Sequence, residues 1–247
     1  MLNIKAYPAD LQKQIESDIR NGRMAAGSEF PVGDLTGRYQ TSADALGAVI
    51  PTLYRKGLIE KPDGENIKVL GLPEAEIESV FQYAEKAKLT PRTVVREVSV
   101  IAADAFLGEK LAVDEGAALY QQVRTRLVEG QVLANQYNFI PYTVCPGVET
   151  VNLSQRSFQV TLAEEYSTII KRIEETYALG APSRDDAEVL SLSADAEVLI
   201  VERMSFSANG MPLVFADIHV NPSAFHFVKN LWPGAAQLIS DAHESEG

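Results

Sequence analysis

The sequence predicts an α+β protein, with a small winged helix-turn-helix at the N-terminus and a larger domain on an antiparallel sheet behind it. Three observations carry this. Residues 30–69, FPVGDLTGRYQTSADALGAVIPTLYRKGLIEKPDGENIKV, run through a short helical pattern, a polar turn, a second helical pattern and two strand-like runs. Gly71-Leu72-Pro73 then breaks the pattern. Beyond residue 90, strand-like runs joined by turn signals dominate, Glu129-Gly130 and Asn209-Gly210 among them.

A first helix is expected from about Ala9 to Asn21, where Leu11, Ile15 and Ile19 recur every fourth residue as a buried stripe. Gly22 ends it, and Gly27 and Pro31 keep the next segment out of a helix. Asp34 to Tyr39 reads as a short helix with Leu35 and Tyr39 on one face. Gln40-Thr41 is the turn, and Thr41 or Ser42 caps the second helix. That helix turns Leu46, Val49 or Ile50, and Leu53 inward. Pro51 removes one of its backbone hydrogen bonds and is expected to bend or shorten it. Gly57 supplies a left-handed stop. Leu58 to Lys61 and Ile67 to Leu70 are the arms of a hairpin around Pro62-Asp63-Gly64-Glu65.

In the second part, Glu74 to Lys88 reads as a helix ended by Thr90-Pro91. A strand over Thr93 to Ala102 and a helix over Ala103 to Leu111 follow. Leu119 to Val128 and Gln131 to Ile140 form a hairpin. Phe158 to Tyr166 is a helix, Ile169 to Thr176 a strand and Arg184 to Leu190 a short helix. Val198 to Ser207 and Leu213 to Val220 form the last hairpin. The expected division is a winged helix over residues 1–71, a connecting segment over 72–90 and a second domain over 91–247.

Hydrophobic residues make up 46% of the 247, and mean hydropathy is near zero, as in a soluble globular protein. No apolar run reaches bilayer length, the N-terminus lacks a secretory pattern, and the lone Cys145 has no internal disulfide partner. A cytoplasmic protein with no membrane partner is expected. Residues 1–70 carry nine Lys/Arg and nine Asp/Glu, so the whole net charge of −12 lies beyond them. A neutral module still binds DNA where its cations cluster on one face.

The residues Phe30-Pro31, Leu35, Tyr39, Ser42, Leu53 and Gly57-Leu58-Ile59-Glu60, with Gly64 in the wing, resemble the DNA-binding half of GntR-type bacterial regulators. The resemblance implies that the second helix of the motif enters the major groove and the hairpin wing reaches the minor groove. Two arginines that the family often carries at the start of that helix are here Ala43 and Gly47. Candidate duplex contacts are Arg38, Thr41, Ser42 and Asp44 around the turn. Arg55, Lys61, Asn66 and Lys68 are candidates farther on, the two lysines for phosphates.

Roughly Pro91 to Phe227 resembles the UTRA effector domain, which accompanies the HutC branch of those regulators and shares the chorismate lyase fold. Val123-Arg124-Thr125-Arg126-Leu127, Asp186-Ala187-Glu188-Val189-Leu190, Val201-Glu202-Arg203 and Asn209-Gly210-Met211-Pro212-Leu213 carry it. The resemblance implies an effector pocket at Arg124 and Arg126, with serines at Ser79 and Ser157. Alternation by two puts both arginines on one strand face, a clamp for phosphate or carboxylate unless they pair with this half's many acids. A glutamate common in the family is here Gln136, beside Asn135. A second acidic position is Val214, and a tyrosine position is Val220. Losing both acids argues against an amino-sugar and for a neutral or acidic ligand; Asp217 could partly compensate, depending on which face it takes.

Enzymatic readings have less behind them. Cys145 with His219 or His226 would be a nucleophile and base, yet nothing in sequence joins them. His219, His226 and His243 lack metal-ligand spacing, and no phosphate-binding glycine loop occurs, so no cofactor is expected. A chorismate lyase-like activity is the serious enzymatic rival. The expectation is a homodimeric, effector-controlled repressor that binds an operator in double-stranded DNA. The alternative is a sensor or interaction protein with degenerate DNA binding.

Overall fold

The computed structural model describes residues 9–60, 65–72, 86, 88–151, 153, 158–193, 195–221 and 235. Its N-terminal part begins with α1 (Ala9–Arg20), which buries Leu11, Ile15 and Ile19 as their spacing predicts. The strand β1 (Glu29–Pro31) follows, then α2 (Val32–Arg38) and α3 (Ala43–Arg55). Between the helices Gln40 turns left-handed at φ 49°. Ser42 is the cap of α3, its Oγ accepting from the Ala45 N–H at 3.1 Å. Gly57, at φ +74°, stops the helix, and the Leu58 N–H returns to the Leu53 carbonyl at 3.1 Å.

Two sequence expectations need correction. Helix α3 is not cut short at Pro51 but runs through it to Arg55. Pro51 lies on the exposed face, where water can serve the Gly47 carbonyl that loses its donor. The unforeseen β1 pairs antiparallel with β2 (Asn66–Lys68), Phe30 opposite Ile67. Three residues ending in proline carry too little alternation to read as a strand. The hairpin arms do meet: Ile59 bridges Val69, and the Glu60 N–H donates to the Lys68 carbonyl at 2.9 Å. Its tip at residues 61–64, Gly64 included, and the expected helix from Glu74 to Lys88, save residues 86 and 88, lie outside the described residues. Leu35, Leu46, Val49, Leu53, Leu58 and Ile67 close one core, each side chain worth about 1.5–3 kcal/mol of burial.

The second part is a six-stranded antiparallel sheet. Its strands are β3 (Pro91–Ala102), β4 (Ala118–Val128), β5 (Gln131–Pro141), β6 (Arg172–Gly180), β7 (Val198–Phe206) and β8 (Pro212–Val220), in the order β3-β4-β5-β8-β7-β6. Glu129 and Gly130 both take positive φ and make the tight turn of the β4–β5 hairpin. β6 starts three residues later than expected. Its alternation begins only at Arg172, whereas Ile170 is buried in a core ahead of the strand. Among the described residues three α-helices cover the sheet: α4 (Ala105–Leu111), capped by Asp104, α5 (Phe158–Tyr166), and α6 (Arg184–Val189), capped by Ser183. Phe215 packs under α4 and Val214 under α5, so by strand alternation the two helices lie on opposite faces.

Helix α6 is held to the α4 face by a charged cluster. His219 Nδ1 lies 2.6 Å from Asp186 Oδ2, while Asn135 and Tyr137 donate to Asp186 Oδ1 at 2.8 and 3.0 Å. Arg96 forks onto Asp185 at 2.8 and 3.1 Å. Burial opposes charge on His219, but its bonds to Asp186 and Asp217 outweigh that and raise it to about 9. A raised folded-state pKa means the stabilisation is complete below about 6.5 and is lost as pH climbs through 9. His219→Gln is expected to lower the melting temperature most near pH 6. Melting curves across pH should show the gap closing by pH 9–10; a gap that does not depend on pH would rule out a charged His219 as its source.

Candidate functional site

A cavity of about 60 Å³ opens on the α5 face of the sheet. Strands β4 and β5 set one wall, with Arg124, Arg126, Gln136 and Asn138; β7 and β8 set the floor, with Arg203, Val214, Ala216 and Ile218; Phe158 and Gln159 reach in from α5. Gln136 organises the polar wall. Its Oε1 accepts from Arg124 Nε at 3.1 Å and from Arg126 Nε at 3.3 Å, and its Nε2 donates to Asn138 at 2.8 Å. Arg126 also donates to Thr93 Oγ1 at 2.6 Å.

Three guanidiniums crowd this lining. Arg124 is 7% exposed, and its hydrogen bond goes to a neutral amide. Burial and then the Arg126 and Arg203 guanidiniums push Arg124 well below the usual arginine range, and burial with Arg203 lowers Arg126 to about 9. A guanidinium keeps its proton in proteins, so an anion, not deprotonation, relieves this cost. Arg203, part of the Val201-Glu202-Arg203 run, has no role predicted from sequence. Here it lines the cavity and brings Nη2 and Nε onto one oxygen of Glu175, Oε1, at 2.5 and 2.6 Å. Only the strand order could have revealed it, by placing Arg203 beside Ala216 on β8.

The other expected residues fall as follows. The hydrogen-bonded pair of Arg124 and Gln136 stands across β4 and β5 as neighbours. Asp217 does not compensate for the missing acids: it lies on the opposite face, 3.2 Å from His219 Nε2. Ser79, Ser157 and Lys61 lie outside the described residues. Cys145 is fully buried, and burial pushes its thiol up to about 12, the reverse of an activated nucleophile.

In the winged helix, Ser42 and Asp44 are exposed at the start of α3, Thr41 is partly covered, and Asn66 is exposed on β2. Lys68 pairs with Glu60 at 3.2 Å. Arg38 reaches Asp18 and the Arg23 carbonyl at 3.3 and 3.2 Å and lies over the Phe30 ring. Arg55 departs from the expected duplex role. It turns to the second domain and donates to the carbonyls of Leu111, Pro212 and Ala112 at 2.8–2.9 Å.

That contact belongs to a polar interface joining the two halves. Lys56, fully buried, meets Glu16 at 2.6 Å and donates to the Tyr166 carbonyl at the C-terminal end of α5, also at 2.6 Å. Arg20 donates to Ser167 Oγ at 2.6 Å. Asn209, in the β7–β8 turn, donates to the carbonyls of Tyr54 and Ile59 at 2.9 and 2.8 Å. Gly57 comes so close to that turn that a Cβ there would sit 3.0 Å from Ala208. These contacts are thus made on or directly after α5 and α4, or in the β7–β8 hairpin, and α5 and the hairpin also line the cavity.

The UTRA domain family matches residues 86–226. The HTH-type transcriptional regulator Rv0792c of Mycobacterium tuberculosis is 25% identical over 233 residues, covering 90% of this chain and 85% of that protein. The HTH-type transcriptional repressor NagR of Bacillus subtilis is 20% identical over 81% of this chain and 84% of its own length. Among solved structures, PhnF from Mycobacterium smegmatis superposes with a TM-score of 0.55 at 16% identity, over 85% of this chain and 94% of that one. At such identity the likeness speaks for the fold. The match over more than half the chain, on a sheet whose face carries the arginine-lined cavity, shows that this chain belongs to the UTRA domain family, here joined to an N-terminal winged helix.

Proposed function

We propose that this chain is a cytoplasmic, homodimeric transcription repressor. Its winged helix, residues 1–71, binds operator DNA, and residues 91–247 bind a phosphorylated or carboxylated effector. The observation that carries the effector assignment is Arg124, a buried guanidinium bonded to a neutral amide and facing two more guanidiniums. Such a group is stabilised by an anion with a fork-matching pair of oxygens. The names of its relatives, an HTH-type transcriptional regulator and an HTH-type transcriptional repressor, support the transcriptional role.

The effector acts by binding one arrangement of the winged helix better than another. The route we assign is the interface of Lys56, Arg55 and Asn209, because the elements that grip the winged helix also line the cavity. A gel shift on the DNA flanking its own gene tests the reading. Binding that an anion extract modulates is expected; no shift on any upstream segment at low salt would refute it. A second reading is favoured by the exposed face of α3, which offers Ser42, Ala43, Asp44, Gly47, Ala48 and Pro51. These short side chains make few base-edge contacts. If that face no longer reads sequence, the same gel shift will show weak binding that fades steeply with salt and does not depend on sequence.

A further inference from the structure

The cavity's lining is not only charged. Phe158, Ile170, Ile173, Val214, Ile218 and Leu133 line it together with the guanidiniums. A sugar turned onto these walls would leave hydroxyls facing hydrocarbon, and each buried hydroxyl without a partner costs about 1–3 kcal/mol. The polar groups that could serve hydroxyls are partly committed already. Gln136 spends its carbonyl on both arginines and its amide on Asn138, and Asn138 donates on to the Gln122 carbonyl at 3.4 Å. Glu175, the acid that meets the lining residue Arg203, is bound to that guanidinium and accepts from Tyr177 as well.

Building on the anion-effector reading above, we propose that the ligand is an organic carboxylate with an apolar alkyl or aryl body, not a sugar phosphate. Its carboxylate lies on Arg124 and Arg126, and its hydrocarbon lies on Val214, Ile218, Ile173 and Phe158.

The test is calorimetric titration of the full chain with benzoate, hexanoate, glucose 6-phosphate and inorganic phosphate. Benzoate or hexanoate is expected to bind at least about tenfold more tightly than glucose 6-phosphate, since one well-placed apolar contact is worth about that factor. Val214→Ser should weaken the carboxylate about tenfold and leave inorganic phosphate unchanged, and Arg124→Met should abolish both. Glucose 6-phosphate binding more tightly than either carboxylate would overturn the apolar body while leaving the anion site standing. Inorganic phosphate binding as tightly as benzoate and hexanoate would also overturn it. If none of the four binds while the folded protein still shifts DNA, the anion-effector reading itself falls.

Discussion

Lys56→Ala will detach the winged helix from the sheet domain and lower its stability by about 3–5 kcal/mol, the cost of stripping one partner from a buried ion pair. Glu16 would then stay only 4% exposed with its cation gone, and the Tyr166 carbonyl would keep only the Thr168 hydroxyl, at 2.9 Å. Urea unfolding followed by limited proteolysis should show the first 70 residues becoming cleavable well before the sheet domain unfolds. Glu16→Leu combined with Lys56→Met is the decisive companion. It removes both charges and places hydrocarbon beside Ile15 and Ile19, so most of the lost stability should return. The functional readout is separate. If the interface carries the signal, the double variant binds operator but no longer responds to effector, because the charge-assisted grip on the end of α5 is missing. A double variant with a full effector response would show that the signal travels elsewhere. A Lys56→Ala protein as stable as the parent would show that the pair is not buried in solution.

Lys56 also marks where the sequence stops being legible. Local signals give the winged helix almost whole: the stripe on α1, the Ser42 cap and the Gly57 stop are written within a few residues of where they act. A lysine next to a helix-ending glycine, however, reads as a solvated cation, and nothing local announces that another domain will cover it. Arg55 reads as a phosphate contact for the same reason, yet it binds three carbonyls across the interface. The sheet domain shows the same limit. Arg124 and Arg126 share a face by simple alternation. Which residue faces Arg124 depends on a bulge between Arg126 and Leu127, which moves the register by one and brings Gln136, not Asn135, opposite. Arg203 enters the site only because β8 inserts between β5 and β7, a matter of topology that no local pattern encodes.

The second large effect is a trade of stability against binding at Arg124. Arg124→Met should abolish anion binding, since losing one partner of a buried charged contact costs about 2–5 kcal/mol, or roughly thirty- to several-thousand-fold in affinity. The unliganded protein should nonetheless melt at the same or a higher temperature, because the substitution removes a buried charge that two neighbouring guanidiniums oppose. Gln136→Glu approaches the same trade from the other side. A carboxylate at that position would lie where the amide oxygen now accepts from both arginines, at 3.1 and 3.3 Å, and would offset one of their two charges from within. It should raise the melting temperature of the free protein and weaken anion binding at least tenfold, while DNA binding without effector stays intact. The two variants together separate a binding site from a structural ion cluster. A structural cluster would lose stability with Arg124→Met, whereas a site held ready for an anion gains or keeps it. A clear drop in the melting temperature of Arg124→Met with unchanged anion affinity would therefore assign the guanidinium to the fold and move the effector site elsewhere.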